Sequence, residues 1–276
     1  MAEANDSVSS VVSLWRYPVK SMMGEELNVS AVTERGLLGD RAYAVIDSSD
    51  GKVATAKNPR KWPNLFDFRA TFIEAPRVNA NLPPVRITLQ DGTVVTSQQS
   101  DLNQIVSKAL NREVTLRATE RGNLRASSEE YWPDMEDLDY RDTVTDFALP
   151  EGTFFDCATV HVLTTATLDR LREIYPKGRF EVRRFRPNIV VETASGENGF
   201  VEDAWVDHTL LIGSDVRLNI TGPCSRCVMT TLPQGDLPRD QGILRAAARN
   251  NKVRVGVYAA ILRGGQVHRG DSVRIE

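Results

Sequence analysis

The segment Pro223-Cys224-Ser225-Arg226-Cys227 sets two thiols three positions apart with a guanidinium between them. A Cys-x-x-Cys pair admits several chemistries. A thioredoxin-type dithiol opens a helix directly after a strand, yet Val228-Met229-Thr230-Thr231-Leu232-Pro233 reads as β-like and ends in proline. A zinc site needs four ligands, and only Cys157, His161, His208 and His268 remain to complete one, none in a second paired motif. The plainest alternative is two small residues buried in a strand. Arg226 shifts the balance, because a guanidinium beside a thiol favours the thiolate. Thiolates are soft ligands for transition metals, so the pair reads as a metal anchor if another group supplies the remaining ligands.

Three further segments carry cations in unusual settings. Arg183-Arg184-Phe185-Arg186-Pro187-Asn188-Ile189 holds three arginines in four positions inside an otherwise apolar stretch. Charge on an exposed edge strand is one reading, but Pro187 interrupts the ladder and re-aims Arg186 and Asn188, which fits a binding site better. Tyr17-Pro18-Val19-Lys20-Ser21 ends a strand in proline and then offers a cation and a hydroxyl, and Gly39-Asp40-Arg41 sets another cation at a strand start. Taken alone, these are a turn with a solvated lysine and an arginine paired to a carboxylate. A ligand bearing phosphate would draw them together, since arginine offers a planar fork and lysine a point charge. Spacing by itself does not bring the segments into contact.

The elements that must position these groups read as mainly β. Val11 to Tyr17 and Arg41 to Ile46 alternate in polarity, with a turn at Asp50-Gly51. Val85 to Leu89 and Val94-Val95 flank Asp91-Gly92 as a second hairpin. A helix is expected over 101–110, with Asp101 as cap and Leu102, Ile105, Val106, Ala109 and Leu110 on one face. Residues 127–147 are acidic, broken by Pro133 and without sustained period, and are expected to form a long irregular loop, either linker or lid. Beyond them come a strand at 160–163, a helix at 167–174, a strand over 180–192 interrupted at Arg186-Pro187, strands at 210–212 and 216–220, a helix at 239–249, and strands at 253–262 and 272–275. Many short strands and few helices imply a barrel-like, mainly β architecture.

The chain has 276 residues, with 41% hydrophobic and 26% charged, enough for a packed core. Its formal net charge of −3 gives no long-range attraction to nucleic acid or an anionic membrane, so any anion site must be a local cluster. No apolar run approaches the ~18–20 residues of a membrane span, and Met1 to Ser10 shows no secretory signal. Three cysteines, Cys157, Cys224 and Cys227, are too few for a disulfide framework, so a reducing, cytoplasmic setting is expected.

Tyr17-Pro18-Val19-Lys20-Ser21, Gly39-Asp40-Arg41, Phe185-Arg186-Pro187-Asn188-Ile189, Phe200-Val201-Glu202-Asp203-Ala204-Trp205 and Cys224-Ser225-Arg226-Cys227 occur in the order seen in MOSC-domain proteins. Over nearly the whole chain the sequence resembles that family, and within it the mitochondrial amidoxime-reducing component and its bacterial relatives. The resemblance implies a MOSC N-terminal β-barrel domain over residues 9–125 and a β-barrel MOSC domain over residues 126–276, with the molybdenum cofactor (Mo-molybdopterin) between them. It makes Cys227 the metal ligand and the catalytic residue, and matches Lys20, Ser21, Arg41, Arg186, Asn188, Ser225 and Arg226 to positions that hold the pterin and its phosphate. Asp156-Cys157-Ala158 aligns with a further cofactor-contacting stretch, where Cys157 and Ala158 would contribute backbone contacts. Arg184 is added on charge grounds, and Cys224 is given a packing role.

The implied activity is reduction of N-hydroxylated compounds such as amidoximes, hydroxylamines and N-hydroxylated bases; detoxification and pyridoxal phosphate binding come with the family as associated attributes. No general acid is evident, since the three histidines lie outside the motifs. A fused iron–sulfur domain would need four clustered cysteines, so electrons are expected from a separate flavin, haem or iron–sulfur reductase. The N-terminal targeting and anchoring segment of the mitochondrial relatives is not expected here. Two other readings stay open: a carrier that binds or delivers molybdenum cofactor or sulfur without turnover, and a zinc or dithiol protein built on Cys224 and Cys227.

Overall fold

The computed structural model describes residues 9–119, 125–136, 140–194 and 197–276. The start of the N-terminal segment and Asp137 of the acidic stretch lie outside the described residues. The chain is mainly β. Its principal sheet has eight strands, in the spatial order Val273–Ile275, Thr209–Ile212, Val216–Ser225, Arg254–Arg263, Val160–Thr164, Ile189–Glu192, Ser10–Arg16 and Glu25–Leu27. Neighbours run antiparallel except Val160–Thr164 beside Ile189–Glu192, which are parallel and joined by a helical crossover. All five residues of Val160–Thr164 are buried, as a strand covered on both faces requires.

The sheet curls round on itself without its two edge strands pairing. Val11 N donates to Asp271 O (2.9 Å) and Gly270 N to Val11 O (2.7 Å), which sets the first strand of the chain against the segment leading into the last. Inside the curl lies an aliphatic core that includes Leu14, Val162, Ile189, Leu218 and Val257. A second core, built around Val19, Met22, Trp62, Phe68 and Val106, fills the smaller sheets of the N-terminal half. The helix Leu102–Leu110 turns Leu102, Val106 and Leu110 into it, while Asp101 makes no side-chain cap. A third cluster packs the helices Thr165–Ile174 and Gln241–Asn251 onto the principal sheet through Leu168, Leu171, Phe180 and Ile243.

Two expectations change. The stretch expected as an irregular loop contains an antiparallel hairpin, Ser127–Trp132 against Thr143–Ala148. Its strands carry polar residues on both faces, because Glu129 and Glu130 are received by Lys52 (3.0 Å) and Lys57 (3.5 Å) rather than by solvent, and this erases the period-2 signal. The stretch 180–192 is not one interrupted strand. Val182–Phe185 is a helical turn, Arg186 ends it in the left-handed conformation, and Ile189–Glu192 is the strand. Among the described residues no helix is long and apolar enough to cross a membrane.

Candidate functional site

Cys227 stands where two cores meet. The strand Val216–Ser225 brings Cys224 and Ser225 to its end, and Cys227 then precedes the short turn Val228–Thr231. Val228 and Leu232 are buried in the N-terminal core, so the loop crosses from the principal sheet into the other half of the molecule. Arg226 N donates to Val253 O (2.7 Å), which pins the loop between its cysteines. The segment after Cys227, read as β-like from the sequence, is instead a single tight helical turn, Val228–Thr231, ended by the extended Leu232; a turn this short still weakens the thioredoxin reading. Among the described residues no three His, Cys, Asp or Glu side chains cluster as a metal-ligand set, so a zinc centre loses its support as well.

The cationic segments converge on this loop. Ser21, Arg41 and Arg186 have φ of 62°, 46° and 54°, left-handed values that non-glycine residues rarely adopt. Three such outliers around one space mark a site whose backbone is over-determined by its surroundings. Tyr17 supplies part of that determination. It is buried, its ring lies 4.6 Å from the Arg41 guanidinium carbon and 4.0 Å from that of Arg186, and its hydroxyl donates to Pro187 O (3.2 Å). Below it, the buried Asp40 carboxylate accepts from Tyr17 N (2.7 Å), Asn188 Nδ2 (2.8 Å) and Arg41 Nη1. Arg186 Nη1 donates to Met22 O (2.8 Å), and Lys20 Nζ donates to Phe154 O (2.8 Å) and to Asp156.

Eight of the eleven residues expected to form the site line one open cavity. Lys20, Ser21, Arg41 and Arg186 line it from the N-terminal half and the Arg186 turn, and Cys157, Ser225, Arg226 and Cys227 from later segments of the chain. Ala158, Arg184 and Asn188 do not line it. Arg184 is fully buried and spends its guanidinium on the carbonyls of Arg179 (2.9 Å), Thr230 (3.1 Å), Leu232 (3.1 Å) and Pro238 (2.8 Å). It fastens the loop after Cys227 to the body of the protein, and charge alone could not separate that duty from ligand binding. Asn188 links Asp40 to the sheet, its Oδ1 accepting from His161 N (3.1 Å).

Lys57, Asp156, His161 and Tyr258 also face the cavity, and no local signal in the sequence marked Lys57 or Tyr258. Lys57 arrives because Ala56 N donates to Ser21 Oγ (3.1 Å), and its Nζ then lies 3.3 Å from Asp156. Five cations thus line the space against one carboxylate. Burial would raise the Asp156 carboxyl, but Lys20 and Lys57 outweigh it and hold it below the usual carboxylate range. Burial lowers Arg186 to about 10, with Tyr17 opposing, and it stays charged at neutral pH.

The two thiols differ sharply. Arg226 Nη1 lies 2.6 Å from Cys224 Sγ, and although burial opposes ionisation, Arg226 and then His161 bring that thiol down to about 6. Burial, with Glu130 adding to it, pushes the Cys227 thiol up to about 12 against Lys57 and Arg226. The arginine between the cysteines therefore serves Cys224, whereas Cys227 is a neutral thiol. Arg226 Nε is buried and has no partner among the described residues, the signature of an acceptor that belongs beside it. A soft donor, five cations and an unanswered guanidinium N–H together fit an anionic cofactor carrying a soft metal.

The MOSC domain family model matches residues 150–274, and that of the MOSC N-terminal beta barrel domain residues 8–115. Mitochondrial amidoxime reducing component 2 of Bos taurus is 30% identical over 246 residues, 82% of this chain and 67% of that protein. The chain belongs to the MOSC-domain family. Within the family, mitochondrial amidoxime-reducing component 1 of Homo sapiens is 26% identical over 82% of this chain and 66% of its own length. The chain thus spans about two thirds of these relatives. Molybdenum cofactor sulfurase of Homo sapiens is 24% identical over 90% of this chain but 29% of its own length. MOSC membership and these relatives connect the chain to the molybdenum cofactor.

Proposed function

We propose that this chain is a molybdenum-cofactor-dependent oxidoreductase that reduces N-hydroxylated compounds with electrons from a separate redox protein. The observation that carries the reading is that Cys227 and the cations Lys20, Arg41, Arg186 and Arg226 line the same cavity. Cys227 would ligate the metal as a thiolate. Lys20, Arg41 and Arg186, with Ser21 and Ser225, would hold the pterin and its phosphate, and Arg226 would donate through the free Nε. When bound, the cofactor supplies the two-electron chemistry for N–O cleavage.

The chain's own residues then do three things. The left-handed backbone at Ser21, Arg41 and Arg186 fixes the cations before a ligand arrives, so little reorganisation is needed on binding. Phe154, Phe155 and Phe185 wall the cavity and exclude water. Tyr258, whose hydroxyl is held well above its ordinary range by Cys224 and then by burial, stays protonated at neutral pH. With His161 it places protic groups on the wall for a reaction that consumes two protons and two electrons as R–NHOH becomes R–NH2 and water. The test is expression in a molybdenum-replete host, metal analysis, and reduction of benzamidoxime by an artificial electron donor. Bound metal without turnover across several N-hydroxylated substrates would remove the proposal.

The resemblance to molybdenum cofactor sulfurase favours a second reading, a carrier that hands on cofactor or sulfur. It predicts transfer to a cofactor-free acceptor enzyme and no turnover of its own. A cytoplasmic setting is proposed with either reading.

A further inference from the structure

We propose that the exposed stripe of the helix Gln241–Asn251, centred on Arg245 and Lys252 with Arg254 beside them, docks an acidic electron-donor protein. The inference rests on the proposed function in one respect, that electrons come from outside the chain.

Helix Gln241–Asn251 turns Ile243, Leu244 and Ala247 into the core and leaves Gln241, Arg245 and Arg249 exposed at intervals of four, with Lys252 following at the left-handed cap. The helix contains no acidic residue. On neighbouring elements several arginines are answered locally. On the helix Thr165–Ile174, Arg170 meets Glu173 (3.0 Å) and Arg172 meets Asp169 (2.6 Å), while Arg183 reaches Glu181 (2.8 Å) and Asp236 (2.5 Å). Arg249 approaches Glu136 at 3.9 Å, but Arg245, Lys252 and Arg254 make no ion pair among the described residues. Cations in a last helical turn complement the helix dipole, which accounts for Arg249 and Lys252 but not for Arg245 or Arg254. On a chain of net charge −3, this is a concentration of unanswered positive charge.

Its position gives the concentration a use. The cap residue Asp240 donates its N–H to Thr231 O (2.9 Å), at the end of the turn that follows Cys227. At the other end of the helix, Lys252 and Val253 both take left-handed φ (50° and 59°), a conformation that a β-branched residue adopts only under constraint. Val253 is the residue whose carbonyl receives Arg226 N, and Arg254 pairs with Ser225 across the ladder. The basic stripe is therefore attached at both ends to the loop that carries Cys227. A donor seated there is as near the cofactor loop as the outer surface of this helix allows. Opposite charge would orient and accelerate its arrival, with strong sensitivity to salt. Nucleic acid is the less fitting occupant, because the stripe has no aromatic side chain on which a base could stack.

The experiment uses the cofactor-loaded chain, an acidic plant-type [2Fe–2S] ferredoxin as probe, and the double variant Arg245→Glu/Lys252→Glu. The wild-type chain should bind ferredoxin at low ionic strength and lose that binding as salt shortens the Debye length to about 8 Å. The variant should bind at least ~10-fold more weakly, with little remaining salt dependence. Turnover driven by reduced methyl viologen, which needs no docking, should match the wild type, and Arg245→Gln/Lys252→Gln should fall between the two in ferredoxin affinity. Equal ferredoxin affinity and salt dependence in wild type and variant would overturn the inference, as would wild-type binding to duplex DNA with none to ferredoxin. If viologen-driven turnover is absent in both proteins while ferredoxin binding still follows the charge reversal, the proposed reaction fails and the docking face stands.

Discussion

Arg226 Nη1 sits 2.6 Å from Cys224 Sγ while the same residue's Nη2 donates to Phe185 O at 2.6 Å, so the guanidinium is committed to one cysteine and to the Arg186 turn. Its place between two cysteines in the sequence suggested a thiolate at Cys227, the expected metal ligand. The folded chain gives the thiolate to the other one.

Spectroscopic pH titration of the cofactor-free protein should separate the two thiols. Cys224, brought down to about 6, is a thiolate at pH 7.5, and Cys227, pushed up to about 12, is not. The ultraviolet absorbance of thiolate, taken as the difference between wild type and Cys224→Ser, should rise with a midpoint near pH 6, and the corresponding difference for Cys227→Ser only at strongly alkaline pH. Because the folded Cys224 value lies below the unfolded one of ~8.5, its contribution to stability is complete above that value and is lost as pH falls through about 6. A wild-type stability advantage over Cys224→Ala that does not shrink on acidification would contradict this.

Replacing Cys227, the proposed metal ligand, and its neighbour Cys224 should have unequal effects. Cys227→Ser is expected to reduce molybdenum retention to below about a tenth of wild type, since an alcohol is a harder and weaker ligand than a thiolate. Cys224→Ser should keep more than about half, because its hydroxyl can still accept from Arg226. Metal-to-protein ratios after gel filtration decide it, and equal losses would show that both sulfurs hold the metal.

Arg184→Met should behave as a stability mutation. Four carbonyls lose their donor in a fully buried place, for an expected cost of roughly 3–5 kcal/mol. Chemical denaturation should register that loss with and without cofactor. A variant of wild-type stability that fails only to retain cofactor would return Arg184 to the binding set.

Tyr17→Phe removes only the hydroxyl bond to Pro187 O, about 1 kcal/mol. Tyr17→Leu also takes away the ring against Arg41 and Arg186 and should cost several kcal/mol more, together with cofactor retention. If the two variants are equally stable and equally loaded, the ring does not position the arginines.

Gly256→Ala tests how tightly the strand Arg254–Arg263 lies against His161. A methyl there would stand 2.2 Å from His161 Nε2 and 2.6 Å from Val162 O, at a φ of +82°. Loss of several kcal/mol and of the His161 environment, read by the imidazole proton signals in NMR, is expected; a neutral substitution would mean the strand has room to move.

Much of the fold was legible because its signals are local. The helix over 101–110, the strands at 160–163 and 210–212 and the hairpin at Asp91-Gly92 follow from period and turn chemistry, and they recur with ends displaced by a residue or two. The hairpin Ser127–Trp132/Thr143–Ala148 was hidden because its polar residues find partners on Lys52, Lys57 and Lys61, which lie far away in sequence. Lys57 reaches the cavity through a contact with Ser21, and Tyr258 through its strand's place in the sheet, neither of which leaves a local mark.

Residue order alone held the inventory: a Cys-x-x-Cys with an internal arginine, three further cation-bearing motifs in a fixed order, and the alternation that makes the chain mainly β. The partners were settled by packing. It gave Arg226 to Cys224, turned Arg184 inward as a fastener, withheld Asn188 from the cavity, and brought Lys57, His161 and Tyr258 in. The physical reason is range. Backbone preferences and periodicity act over a few residues, whereas the charge, burial and hydrogen bonding that set a side chain's chemistry depend on neighbours that packing alone brings within a few ångströms.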